Sequence, residues 1–201
     1  MQTPSDPSVS AEPRRDAPGR LELVRQFINT ADLAPDEDQL GDLAALERWL
    51  RERQLIRSRD HLAAGDLERA LAVREALREL LAGRSLGPVD AGAVRSLNSL
   101  PAGALLRVAF DSDGAPRLEP VAEGLDRALA ELYAIIDRAS ADGSWARLKV
   151  CADHGCRWAF YDRSKNRSRS WCNMAVCGNR AKARHYRERK RPAGRTEGST
   201  A

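Results

Sequence analysis

Four cysteines, all within residues 151–177 of a 201-residue chain, constrain this sequence more than any other feature. They form two C-x4-C pairs, Cys151/Cys156 and Cys172/Cys177, with fifteen residues between the pairs. A disulfide framework belongs to short secreted proteins. The opening residues, MQTPSDPSVSAEPRRDAPGR, lack the apolar segment of a signal peptide. The longest uncharged stretch, residues 96–106, is far short of the roughly 20 apolar residues that cross a bilayer. A soluble, cytoplasmic chain with reduced thiols and no membrane partner is therefore expected. In that setting two matched thiol pairs point to one tetrahedral Zn(II) site, with Cys151, Cys156, Cys172 and Cys177 as ligands. An iron–sulfur cluster and four unrelated buried thiols are the alternatives. His154 and His185 are not needed as ligands, because four thiolates already complete the shell.

Residues 147–187 carry more than the metal spacing. Trp158, Phe160, Asp162, Ser164, Asn166, Arg169, Trp171 and Met174 surround the cysteines, and the last pair closes on Cys177-Gly178-Asn179-Arg180. This pattern resembles the CGNR zinc-finger family, whose signature is that tetrapeptide. Upstream, QFINT (26–30), LAALERWL (43–50) and VREALREL (73–80) are similar to the weaker motifs of the ABATE domain that usually precedes this finger. The resemblance implies a stress-response transcription regulator with an ABATE-like helical domain over 18–140 and a CGNR finger over 147–191. It gives no role for Asn29.

Leu and Ala dominate the interior segments and only 5% of residues are aromatic, a composition that favours helices. Leu43, Leu46 and Leu50 share one helical face. Ala70, Val73, Leu77, Leu80 and Leu81 share a second, and Leu125, Leu129, Leu132 and Ile136 a third. Asp66 is placed to cap the second helix, and Pro120 precedes the third. The run LLRVAFDSDGAPRLEPV alternates at Leu106, Val108 and Phe110 and turns at Asp113-Gly114, which predicts a β-hairpin. The stripes end near Ala139, so residues 139–149 read as a connector between separable halves. Tails at 1–17 and 192–201 are expected to be disordered. The predicted fold is mostly α: a helical N-terminal domain with a small β-hairpin, then a C-terminal treble-clef-like zinc finger.

No catalytic constellation is evident, and the chain is not expected to be an enzyme. His61 is the only histidine before residue 150 and lacks a nucleophilic partner. Neither a phosphate-cradling G-x-x-x-x-G-K-[ST] loop nor a strand-borne G-x-G-x-x-G occurs.

Charge is distributed unevenly. Residues 151–192 hold twelve Lys/Arg against Asp153, Asp162 and Glu188, a surplus of nine in a chain whose net charge is +4. Four thiolates around Zn(II) leave that module at about +7, the footprint of a polyanion partner. In a treble-clef-like finger the second ligand pair lies near the start of the C-terminal helix, with Gly178-Asn179 permitting a turn. Arg180, Arg184, Arg187 and Arg191 then fall on one helical face, with Lys182 beside them. The loop DRSKNRSRS adds Lys165, Arg167 and Arg169 as phosphate contacts. The expectation is a DNA-binding transcription regulator acting on double-stranded DNA. Its helical domain would sense a small-molecule effector or form a homodimer. An RNA- or ribosome-associated module and a zinc-based protein-interaction clip are the alternatives.

Overall fold

The structure is a computed structural model, and it describes residues 16–33 and 36–190. Among these residues are six α-helices and three two-stranded antiparallel sheets. Helix α1 (Leu21–Ile28) buries Leu21, Val24, Phe27 and Ile28 on one side. Two residue pairs, β1 (Ala31–Asp32) and β2 (Glu37–Asp38), follow it. Helix α2 (Leu43–Glu52) is capped by the Asp42 carboxylate, which accepts the Ala45 N–H at 2.6 Å. Helix α3 (Asp66–Leu86) is the longest, and α4 (Ala91–Ser99) folds back on it, capped by Asp90 through the Ala93 N–H.

The expected hairpin forms as β3 (Leu106–Phe110) and β4 (Pro116–Pro120), with Val108 opposite Leu118. Asp111 accepts the N–H groups of Asp113 and Ala115, and Gly114 turns the chain at φ +78°. Helix α5 (Gly124–Ala141) packs on α1 and β4. Gly124 is required at its start: φ is +56°, and a Cβ there would approach the His61 carbonyl oxygen to 2.9 Å.

The apolar stripes predicted for α2, α3 and α5 supply the core, through Leu46, Leu50, Val73, Leu77, Leu81, Leu125, Leu129 and Leu132. One cap differs from expectation. Asp66 lies inside α3, after Gly65 at the cap position, and its carboxylate instead accepts the Ala63 N–H and pairs with Arg69.

Residues 139–149 are not a plain connector. Helix α5 continues to Ala141, a 3-10 turn follows at Trp145–Arg147, and β5 (Leu148–Val150) begins at once. Strand β5 pairs with β6 (Ala159–Tyr161), and both strands are buried against the helices. Leu148, Val150, Ala159 and Tyr161 thus belong to the same core as α1 and α3. Of the expected N-terminal tail, residues 1–15 lie outside the described residues. Asp16 and Ala17 are held: Ala17 is buried and donates its N–H to Glu22, and Asp16 pairs with Arg25. The expected tail at 192–201 also lies outside them.

Candidate metal centre and basic helix

The metal module is built on β5 and β6. Cys151 follows β5 directly, and its N–H donates to the Trp158 carbonyl at 2.9 Å. The chain then folds so that the Asp153 carbonyl accepts N–H bonds from both Cys156 and Arg157. Arg157 sits in the left-handed region at φ +46°, which reverses the chain toward β6. The loop that follows is organised by Asp162, whose carboxylate accepts bonds from Lys149, the Ser164 N–H and hydroxyl, and the Arg169 N–H. Burial alone would raise that carboxyl, but the Lys149 and Ser164 donors outweigh it and bring the pKa down to about 2. The loop leads to Cys172. Asn173 then caps a short π-helical turn, Met174–Gly178, by accepting the Val176 N–H at 3.1 Å. That turn carries Cys177 and runs without a break into α6 (Asn179–Lys190).

Gly178-Asn179 therefore does not interrupt the helix, contrary to the sequence reading. Gly178 instead packs under Met174, whose Sδ would lie 2.4 Å from an added Cβ. Asn179 donates its side-chain amide back to the Ala175 carbonyl.

All four sulfurs lie within 4.8 Å of one another, and none is in a disulfide. The Cys156–Cys172 and Cys172–Cys177 separations are 3.6 and 3.7 Å. A tetrahedron with Zn–S bonds of roughly 2.3 Å has edges of about 3.8 Å, so the spacing fits zinc. The acid–base balance fits too. Hydrogen bonds from the Cys156 and Cys172 thiols hold Cys151 well below the usual thiol range. The bonds with Cys151 push Cys156 and Cys172 up, and burial with the Cys151 charge pushes Cys177 up. Four thiolates this close repel one another, and a divalent cation among them offsets that repulsion. Trp158 and Trp171 pack against the sulfurs, so both act as walls of a small core.

These residues match known families. Residues 21–146 match the ABATE family, described as "Putative stress-induced transcription regulator", and residues 147–190 match the CGNR zinc finger. The chain belongs to the ABATE family. Among curated proteins, none matches the chain closely. The ABATE and CGNR matches follow the order expected from the sequence, and the protein binds zinc through a cysteine cluster of the CGNR type. Neither matched family is one of enzymes. No helix among the described residues is long and apolar enough to cross a membrane.

The cations expected to meet nucleic acid divide into two groups. Arg180, Lys182, Arg184 and Arg187 are exposed on α6, and Lys165 and Arg167 are exposed on the preceding loop. Arg180 and Arg184 also pair with the buried Asp153 carboxylate, each at 3.5 Å, which docks α6 on the first cysteine pair. Arg169 does not join the exposed set. Its guanidinium turns inward to the carbonyls of Trp171 and Cys172, because those carbonyls beside the second cysteine pair need donors. Arg191 lies outside the described residues.

The N-terminal domain contributes residues that pattern reading misses. Asn29 bonds to the backbone of Ala159, and the buried Arg74 makes two 2.8 Å bonds to Asp38. Arg78, also buried, donates to the carbonyls of Ile28, Ala31 and Arg157. Two arginines four apart on the apolar face of α3 were the available signal, since a buried cation demands partners.

Proposed function

We propose that this protein is a double-stranded-DNA-binding transcription regulator in which Cys151, Cys156, Cys172 and Cys177 hold Zn(II) and α6 meets the DNA. Arg180, Lys182, Arg184 and Arg187 are the contacts on the helix, and Lys165 and Arg167 are the contacts on the loop. The helical domain supplies the regulatory input. One observation carries the reading: a helix that starts at the metal cluster presents several exposed cations and pairs two of them with a buried carboxylate. Metal coordination fixes the direction of the helix, and the ion pairs fix its roll. A rigid cationic helix of this kind suits a duplex groove, where phosphate contacts set position and arginine reads base edges.

The test is fluorescence anisotropy of the zinc-loaded chain against duplex DNA, single-stranded RNA and a neutral polymer. Preferential binding of the duplex is expected. Preference for RNA would replace the partner with a single strand, and no binding to either would leave the protein-clip reading.

A further inference from the structure

The first cysteine pair is held from outside the metal module. Residues 156–159 run from a metal-cluster cysteine to the strand that enters the main core; the backbones of Cys156 and Trp158 are bonded within the knuckle, and those of Arg157 and Ala159 to the helical domain. Cys156 donates its N–H to the Asp153 carbonyl at 2.8 Å. Arg157 accepts at its carbonyl from Arg78 at 3.0 Å, while its own guanidinium bonds Glu79 at 2.6 Å. Trp158 accepts from the Cys151 N–H. Ala159 gives its N–H to Asn29 Oδ1 at 2.7 Å and takes the Asn29 Nδ2 donor at 2.8 Å. The amide of Asn29 thus acts as a one-residue strand partner for β6, across 130 positions of sequence.

The same groups also close the end of α1. Arg78 donates to the Ile28 and Ala31 carbonyls with the nitrogen that does not serve Arg157. Asn29 itself is the residue that ends α1, its N–H bonding the Arg25 carbonyl. One buried polar cluster therefore satisfies the α1 terminus on one side and the zinc knuckle on the other. Apolar packing tolerates sliding, but a two-point amide bond and a guanidinium fork fix position and angle.

We infer that Asn29 and Arg78 are positioning residues for the zinc site, and that zinc loading and the order of the α1–α3 corner form one linked equilibrium. The inference rests on the assignment of Cys156 as a zinc ligand. Linkage makes the effect reciprocal: whatever loosens the corner weakens the metal, and whatever removes the metal loosens the corner. The helical domain then has a physical route to the basic helix, because zinc connects the knuckle to the Cys177 turn.

The test uses the full-length, zinc-loaded chain and a chromophoric chelator as competitor. Asn29→Ala is expected to weaken zinc about ten- to a hundredfold, the range seen when partners outside the metal shell are lost. In the Co(II)-loaded form it should also shift the thiolate-to-metal absorption band. Leu46→Ala, in the buried face of α2, is the control; it lowers stability but should leave zinc affinity and the Co(II) band unchanged. Equal affinity in Asn29→Ala and wild type overturns the inference, and so does an equal loss in both variants. A second measurement needs no variant: chelating zinc from the wild-type chain should speed amide exchange at Asn29 and Thr30 while α2 stays protected. Unchanged exchange there also overturns it. A wild-type chain that takes up no zinc would instead remove the ligand assignment itself.

Discussion

The helical core and the cysteine cluster are two small interiors with different sources of order. In the helices, Val24, Leu46, Val73, Leu77, Leu81 and Leu132 are essentially inaccessible to solvent and interlock across α1, α2, α3 and α5. Around the cysteines the packed side chains are Trp158 and Trp171, both only partly buried. Burying a large aliphatic side chain contributes roughly 1.5–3 kcal/mol, so the first interior closes by removing apolar surface from water. The second has too little such surface and too many like charges to close that way. Its order comes from a divalent cation among thiolates, in the manner of metal-dependent modules. The difference also shows where the physical boundary runs. Strands β5 and β6 follow the family boundary at 146/147 in sequence, yet they are held in the first interior.

The comparison breaks most visibly where the metal is removed. Chelation or Cys172→Ser should abolish the metal-coupled folding energy of the module, on the order of 10 kcal/mol in comparable peptides. The helices of the first interior should remain. Far-ultraviolet circular dichroism should therefore fall only slightly, while proteolysis becomes fast within residues 151–190. A wholesale loss of helix would mean that the two interiors are not ordered by different means.

Leu148→Ala gives the next largest effect. Leu148 follows the family boundary but is buried in the helical core, so its truncation should cost about 2–5 kcal/mol in urea denaturation monitored at the helices. A fragment ending at residue 140, which the apolar stripes alone would allow to fold, should bind a hydrophobic dye because Leu148, Val150, Ala159 and Tyr161 are gone. A cooperative, dye-free fragment would show that the hairpin is an accessory.

Asp153→Asn has the smallest expected effect. It removes the partner of Arg180 and Arg184, which are about half exposed. The guanidinium ends of these pairs are half in solvent, so they contribute about 0–1 kcal/mol to setting the helix, and duplex affinity should fall by no more than about fivefold as α6 loses that constraint. A rise in affinity would show that Asp153 chiefly holds the two cations back from DNA.

How much of this was legible in the sequence differs between the two interiors. Helical stripes and the Asp113-Gly114 turn were readable because each is a local periodicity or a local conformational demand. The cysteine pairs were readable because metal geometry restricts spacing. Strands β5 and β6 were not, since LKV and AFY are three residues each and buried on both sides, leaving no alternation to detect. The part played by Asn29 is not legible, because its partner is 130 residues away and is backbone, which carries no side-chain signature. Charge alone puts Arg169 with the phosphate contacts; only the fold shows that its donors serve the Trp171 and Cys172 carbonyls. The pair Gly178-Asn179 reads as a turn, whereas Gly178 leaves room for Met174 beside the Cys177 turn.

The most direct test of the account is the salt dependence of duplex-DNA binding by the zinc-loaded wild type and by the Arg184→Ala/Arg187→Ala double variant, with Arg95→Ala in α4 as the control. The logarithm of the binding constant should fall linearly with the logarithm of salt concentration, and the double variant should show a slope smaller by about two if both arginines meet phosphates. The control should match wild type. A double variant that binds as tightly as wild type, with the same slope, would contradict the assignment of α6 as the DNA-contacting element.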